Sequence, residues 1–233
     1  MKVFTTINPY GNFDAQYEAL KSWSDRYEVF SVNIREEIDI VKEKYPFVKF
    51  IETDKIFEYS GKKLIKLNSI LSVIRKEFGD CAIVNSDIIL DKKISYDKKI
   101  LKNGIIIATR WEMGNESESY PFNNGYDLFI FNSKHAELFM NDKYVIGMPW
   151  WDFWIPSIAI KAGMDLYHIN KPVILHRTHE TNYDSNTWIS FGEYLYNDLM
   201  INLMKNNMDI DIWSFCNGVK KFIEKNQKVL KLK

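Results

Sequence analysis

One stretch, Cys81 to Leu90, constrains this chain more than any other: Cys-Ala-Ile-Val-Asn-Ser-Asp-Ile-Ile-Leu. Four small or apolar residues run into Asn85-Ser86-Asp87, and the chain turns apolar again at once. An unbroken apolar run suits a strand covered on both faces, as at the centre of a parallel sheet. Ligands bind in the crevice outside the carboxyl ends of such strands. A carboxylate placed there has no packing purpose, and it costs free energy to desolvate unless it meets a cation or donors. Asp87 therefore reads as a metal ligand, against the plainer reading of a turn or capping aspartate.

The segments before this stretch alternate. Lys2 to Ile7 is an expected first strand ending in Thr5 and Thr6, and Asn12 is placed to cap a helix carrying Phe13, Tyr17 and Leu20. Tyr27 to Asn33 and Val48 to Glu52 read as strands on either side of a helix, Ile34 to Tyr45. Leu64, Leu67, Leu71 and Ile74 recur at helical spacing, which predicts one helix over Gly61 to Phe78. This order implies right-handed crossovers and a mainly parallel sheet flanked by helices.

Beyond Asp87 the rhythm changes. Ile105 to Trp111 is a predicted strand, Glu112 to Asn124 a polar loop near the crevice, Tyr126 to Phe131 a strand and Ser133 to Met140 a short helix. A hydrophobic helix is expected over Trp150 to Ala162, and a last strand, Val173 to Leu175, empties into His176-Arg177-Thr178-His179. From Asn186 on the chain reads as helical, with a lysine-rich tail as a solvated face. No repeat or linker interrupts it, so the expectation is a single domain over 1–233. Its parts are a nucleotide-binding half (1–90), an acceptor half (91–185) and a C-terminal helical segment (186–233).

Several function classes are excluded or disfavoured. Thirty-one basic residues balance 31 acidic ones, so no global field points to nucleic acid or an anionic membrane. Two cysteines, Cys81 and Cys216, allow neither a disulfide framework nor a four-cysteine zinc site, a usage that suits a reduced cytoplasm. The N-terminus lacks the apolar core of a signal peptide and no stretch reads as a membrane span, although contact with a membrane surface stays open. No P-loop, dinucleotide fingerprint or nucleophile elbow occurs. A phosphate ligand would have to be neutralised by a metal and a few cationic side chains, and Arg110, emerging from an apolar strand, is a candidate diphosphate or acceptor contact. A surface ion pair is its plainer use.

Over Lys2 to His179 the pattern resembles the GT-A class of nucleotide-sugar-dependent glycosyltransferases. The resemblance rests on Lys63 to Asp87, with Lys66 and Asn68 on a helix ahead of a strand ending in Asn85-Ser86-Asp87, a degenerate Asp-x-Asp motif. It rests also on Pro149-Trp150-Trp151-Asp152 at a helix start, and on His176 after a late strand. It implies a GT-A-like α/β fold, Rossmann-like, with C-terminal helices. It further implies a hexosyltransferase-type enzyme using Mn²⁺ or Mg²⁺ to move a sugar from a nucleotide-sugar donor, UDP first, to a glycan or glycolipid acceptor. The implied metal ligands are Asp87 and His176, with His179 as the rival histidine. The implied base is Asp152, which as a helix cap would need no such role, and the implied substrate contacts are Thr5, Asn33, Lys66, Asn68, Asn85 and Arg110. Two alternatives remain: an inactive sugar-nucleotide or glycan-binding module, and a sugar-phosphate nucleotidyltransferase, which the missing glycine-rich loop disfavours.

Overall fold

A computed structural model of the chain describes residues 1–59, 61–114, 119–178, 184–200 and 211–232. The first half alternates much as its sequence suggests. Strand β1 (Lys2–Thr5) is followed by α1 (Phe13–Ser24), β2 (Glu28–Asn33), α2 (Arg35–Val41) and β3 (Val48–Glu52). The Asn12 side chain caps α1 by accepting from the Ala15 amide at 3.1 Å. Next come β4 (Ile56–Tyr59), β5 (Lys62–Ile65), α3 (Leu67–Ile74), β6 (Asp80–Val84) and β7 (Ile88–Leu90).

The second half holds β8 (Gly104–Ala108), β9 (Trp111–Met113), β10 (Ser119–Pro121), β11 (Leu128–Asn132) and α4 (Trp151–Lys161). It closes with β12 (Asp165–Ile169), β13 (Ile174–Arg177), α5 (Ser185–Met200), α6 (Ile212–Asn226) and β14 (Gln227–Val229). Short 3₁₀ helices span Lys98–Lys102 and Ser133–Phe139. Among the described residues no helix is long and apolar enough to cross a membrane.

Eight strands form the central sheet in the order β14-β12-β8-β11-β6-β1-β2-β3, all parallel except β11, which runs against both its neighbours. Side chains alternate across it. Cys81, Ile83, Ile105, Ile107, Phe129 and Phe131 face one apolar layer with α3 and α4. Ala82, Val84, Ile106, Ala108, Leu128 and Ile130 face the other, against Leu20 and Trp23 of α1. Burial on both faces is why these strands read as unbroken apolar runs. A second sheet, β10-β9-β13-β7, stands at the carboxyl end of the first.

Four expectations need correction. The helix expected over Gly61 to Phe78 is a β4–β5 hairpin, pairing Ile56 with Ile65 and Tyr59 with Lys62, followed by the shorter α3. Leu64 shares the helical spacing by coincidence, because strand pairing takes its backbone. Likewise, the strand expected through Trp111 stops at Ala108; Trp111 to Met113 leave for the second sheet, so part of the expected polar loop is strand. His176 lies within β13 rather than after it. The C-terminal segment is not wholly helical either: β14 pairs with β12, an unforeseen strand, and Leu230 is buried with its amide on the His168 carbonyl at 2.8 Å.

Candidate active site

The parallel strands β1, β2, β6 and β8 all end on the same side, where antiparallel β11 begins. That geometry brings residues 85–87, 109–112 and 125–127 to one rim. The second sheet finishes the arrangement, because His176 is registered opposite Glu112 on one side and Ile88, next to Asp87, on the other.

The Asp87 loop is held from below by α1. Ser86 Oγ donates to Gln16 Oε1 at 2.9 Å, the Trp23 indole donates to the Ile88 carbonyl at 2.8 Å, and the Leu90 amide donates to Ser22 Oγ at 2.8 Å. One helix thus grips alternate residues of the segment.

A chain of charges crosses the rim. His176 Nε2 lies 3.6 Å from Asp87 Oδ2, and His176 Nδ1 donates to Glu112 Oε2 at 2.8 Å. Glu112 also accepts from Arg110 Nε at 2.7 Å and from the Thr178 hydroxyl at 3.2 Å. Arg110 Nη1 donates to Asp127 Oδ1 at 2.9 Å, the Asn85 amide reaches the same oxygen at 3.4 Å, and Phe122 lies under the guanidinium at 3.8 Å. Since a carboxylate can only accept, the proton on Nδ1 belongs to the bond with Glu112, which orients the other ring nitrogen toward Asp87.

The protonation states follow from these neighbours. Burial opposes charge on His176, but the hydrogen bond and charge of Asp87, with Glu112 adding to them, raise its pKa. Burial works against ionised Glu112 too, yet the bonds from His176 and Arg110 lower its pKa. Asp127 goes the other way: burial raises it despite Arg110, and its Oδ2 is buried with no partner among the described residues.

Asp152, in the first turn of α4, is pushed up to about 7 by burial, then by the charge of Asp127. Its Oδ2 accepts from the Tyr126 amide at 3.3 Å, and a Cβ on Gly125 would stand 2.7 Å from that oxygen, so a side chain there would push the carboxylate aside. The residue capping α4 is Trp150, at φ 80° and ψ −16°, a left-handed backbone that a bulky residue adopts only when its surroundings insist. Its indole donates to the Trp188 carbonyl at 2.7 Å and the two rings sit 4.6 Å apart, while a Cβ on Gly192 of α5 would come within 3.0 Å of the ring.

Of the residues singled out from sequence, the fold gathers Asp87, His176, Asn85 and Arg110, with Asp152 next to them through residues 125–127. The others take no part in that chain of charges, although Thr5 and Asn33 end β1 and β2 on the same side of the sheet. Asn33 is fully buried: its Nδ2 donates to the Ile7 carbonyl at 2.9 Å and to Glu37 at 2.7 Å, and its Oδ1 accepts from Ser31 at 2.6 Å. Thr5 is also fully buried, with its hydroxyl unpartnered among the described residues. Asn68 holds the 141–142 turn, donating to Asp142 at 2.7 Å and accepting from the Asn141 amide at 2.6 Å, and half-buried Lys66 bridges to Val145 through its backbone. His179 lies outside the described residues. Glu112 and Asp127 were missed. The signal for each was a lone acid at the edge of an apolar run, Arg-Trp-Glu after one strand and Tyr-Asp before the next.

The eight-stranded, largely parallel sheet, with its reversed strand and a crevice at the carboxyl ends, is a GT-A-like α/β fold. In particular, the structure is similar to TarS residues 1–349 of S. aureus, solved in complex with UDP-GlcNAc. The TM-score is 0.52 at 12% identity, over 97% of this chain and 71% of that one. More distant likenesses are the glycosyltransferase GlyE of Streptococcus pneumoniae (TM-score 0.44, 12% identity, 95% and 63% covered) and a nucleoside-diphosphate-sugar pyrophosphorylase of Vibrio cholerae (0.40, 10%, 82% and 99%). No protein-family profile matches the chain, and no curated protein matches its sequence.

Proposed function

We propose that this protein is a metal-dependent glycosyltransferase that moves a sugar from a nucleotide-diphospho-sugar, UDP-linked in the first instance, to a hydroxyl of a glycan or glycolipid. Residues 1–90 would hold the donor and 91–185 the acceptor within one domain. The observation that carries this reading is the Asp87–His176 pair, an oxygen and an imidazole nitrogen 3.6 Å apart, backed by Glu112 at the carboxyl ends of the parallel strands.

The donor set fits a divalent ion: carboxylate suits Mg²⁺ and Mn²⁺, and an imidazole beside it favours Mn²⁺. Among the described residues no third acid, histidine or cysteine joins the pair as a ligand. The remaining positions would fall to diphosphate and water. Bound there, the ion would supply Lewis-acid stabilisation of the departing diphosphate.

The chain's own residues do the rest. Glu112 fixes the His176 tautomer, and Arg110 adds positive charge to the rim while holding Glu112 and Asp127 in place. Asp152 accepts the proton of the acceptor hydroxyl as its oxygen bonds to the anomeric carbon. The sugar–phosphate bond breaks, its electron pair leaves with the diphosphate, and the anomeric centre inverts. A pKa of about 7 places Asp152 where a general base works best near neutrality.

The test is calorimetric titration of UDP, GDP and dTDP, each with and without Mn²⁺, on wild type and Asp87→Ala. Mn²⁺-dependent binding of one nucleotide, lost in the variant, is the expected outcome. Absence of binding by all three in the wild type would sink the proposal.

A further inference from the structure

A second hollow lies behind the rim, between the sheet and α6. It is a cavity of about 70 Å³ lined by Thr109, Tyr126, His168, Lys220, Glu224 and Gln227, among others, which gives it room for a few ordered waters. Three consecutive pairs tie it to the site already described. Thr109 in its wall precedes Arg110, Tyr126 precedes Asp127, and Phe153, also in the wall, follows Asp152. Gly125 lines the hollow too, and its missing side chain is what lets Asp152 approach.

The lining is chemically mixed in a specific way. Gln227 Oε1 is buried and has no hydrogen-bond partner among the described residues, so an acceptor stands unfilled at the cavity. A buried carbonyl oxygen left in that state keeps its desolvation cost until a donor reaches it. Glu224 supplies a carboxylate and Lys220 an ammonium, from successive turns of α6. The Thr109 hydroxyl donates to the Gly125 carbonyl at 3.4 Å and lies 3.2 Å from His168 Nε2. Burial holds the His168 imidazole below its ordinary pKa, so it faces the space uncharged. The Tyr126 ring meets His168 edge-on, with centroids 5.9 Å apart, and gives the hollow an apolar side.

Donors and acceptors of both kinds around a small space, with an aromatic wall, suit groups that both donate and accept. Adjacent hydroxyls on the edge of a sugar ring are such groups, and they replace ordered water without losing its hydrogen bonds. A phosphate would meet Glu224, and an apolar group would leave Gln227 unfilled. We infer that this cavity binds the vicinal-hydroxyl edge of a sugar unit, and so forms an acceptor subsite next to Asp152. The assignment to the acceptor rests on the transferase reading; binding of the sugar edge does not.

The experiment therefore uses the full chain with no nucleotide and no metal. Saturation-transfer NMR with methyl glucoside, methyl galactoside, methyl N-acetylglucosaminide and ribitol reads binding directly. At least one of the three glycosides should receive saturation, strongest at protons on adjacent hydroxyl-bearing carbons. Gln227→Leu and Glu224→Ala should each weaken it by about tenfold, the loss expected for one hydrogen bond in a small site. Glu224 is exposed on α6, so its variant keeps the measurement decisive if Gln227→Leu disturbs β14. Failure of every glycoside to bind wild type, or binding by ribitol alone, overturns the inference. Binding that survives both substitutions unchanged overturns it as well. Glycoside binding without nucleotide binding would leave this pocket standing and remove the transferase reading instead.

Discussion

The ends of β2 and β7 bury polar groups at the same end of the molecule, but to opposite effect. At the end of β2, Asn33 joins Ser31, the Ile7 backbone and Glu37, and both ends of its amide are taken. At the rim beside β7, its neighbour β13 and the next strand β9, the buried groups are charged and unevenly matched. Two acids share Arg110, one oxygen of Asp127 has no partner among the described residues, and Asp152 is displaced to about 7. A network with every valence filled can only lose by change, so it behaves as a lock. One with misfit charges gains when a ligand arrives, which is what a site requires.

The sharpest way to break this contrast is Asp152→Asn. If the charged end is the working end, turnover of the sugar donor should fall by about 10²–10⁴-fold with KM little changed, as expected for loss of a general base. Unchanged kcat would leave Asp152 as a structural acid in the first turn of α4. Next in size is Glu112→Gln, which keeps the shape but weakens the hold on His176. Mn²⁺ affinity by competition with a chelating dye should drop about 10–100-fold, the usual cost of removing a carboxylate behind a ligating histidine.

The end of β2 supplies the control. Asn33→Ala strands Glu37 and Ser31, and should lower unfolding free energy in urea by about 1–3 kcal/mol, with Mn²⁺-dependent nucleotide binding intact. A nucleotide defect without a stability loss would reverse the assignment of the two regions.

A further effect is in pH. Asp152 binds its proton more tightly folded than unfolded, so its contribution to stability is full below 3.8 and is lost as pH climbs through about 7. Measured by urea titration across that range, the wild type should lose stability relative to Asp152→Asn as pH rises. Identical slopes for the two proteins would contradict the displaced pKa.

Much of this was legible in the chain where burial leaves a simple pattern. Cys81 to Leu90 announced both a central strand and the carboxylate beyond its end, because two covered faces confine polar residues to the turn at Asn85-Ser86-Asp87. Arg110 stood out for the same reason. Glu112 did not, since Trp111 to Met113 is too short a strand to show a period, and its sheet is assembled from segments far apart in sequence. Register alone puts Glu112 beside His176, and register is not written locally. The β4–β5 hairpin was lost to a chance leucine spacing, and β14 to a lysine-rich composition that masks its pairing with β12. Asn33 was readable as a polar strand end, but the partners that occupy it include Ile7, just beyond β1, and Glu37 of α2.

The left-handed Trp150 has a mechanical consequence. The residue that starts α4 is also pinned, by ring and indole nitrogen, to α5, so the C-terminal helices act as a clamp on the backbone that aims Asp152. Cutting the chain before α5 would remove the reason for the strain. The first turn of α4 would then be free to relax, and damage done some forty residues downstream would be felt as a misdirected carboxylate.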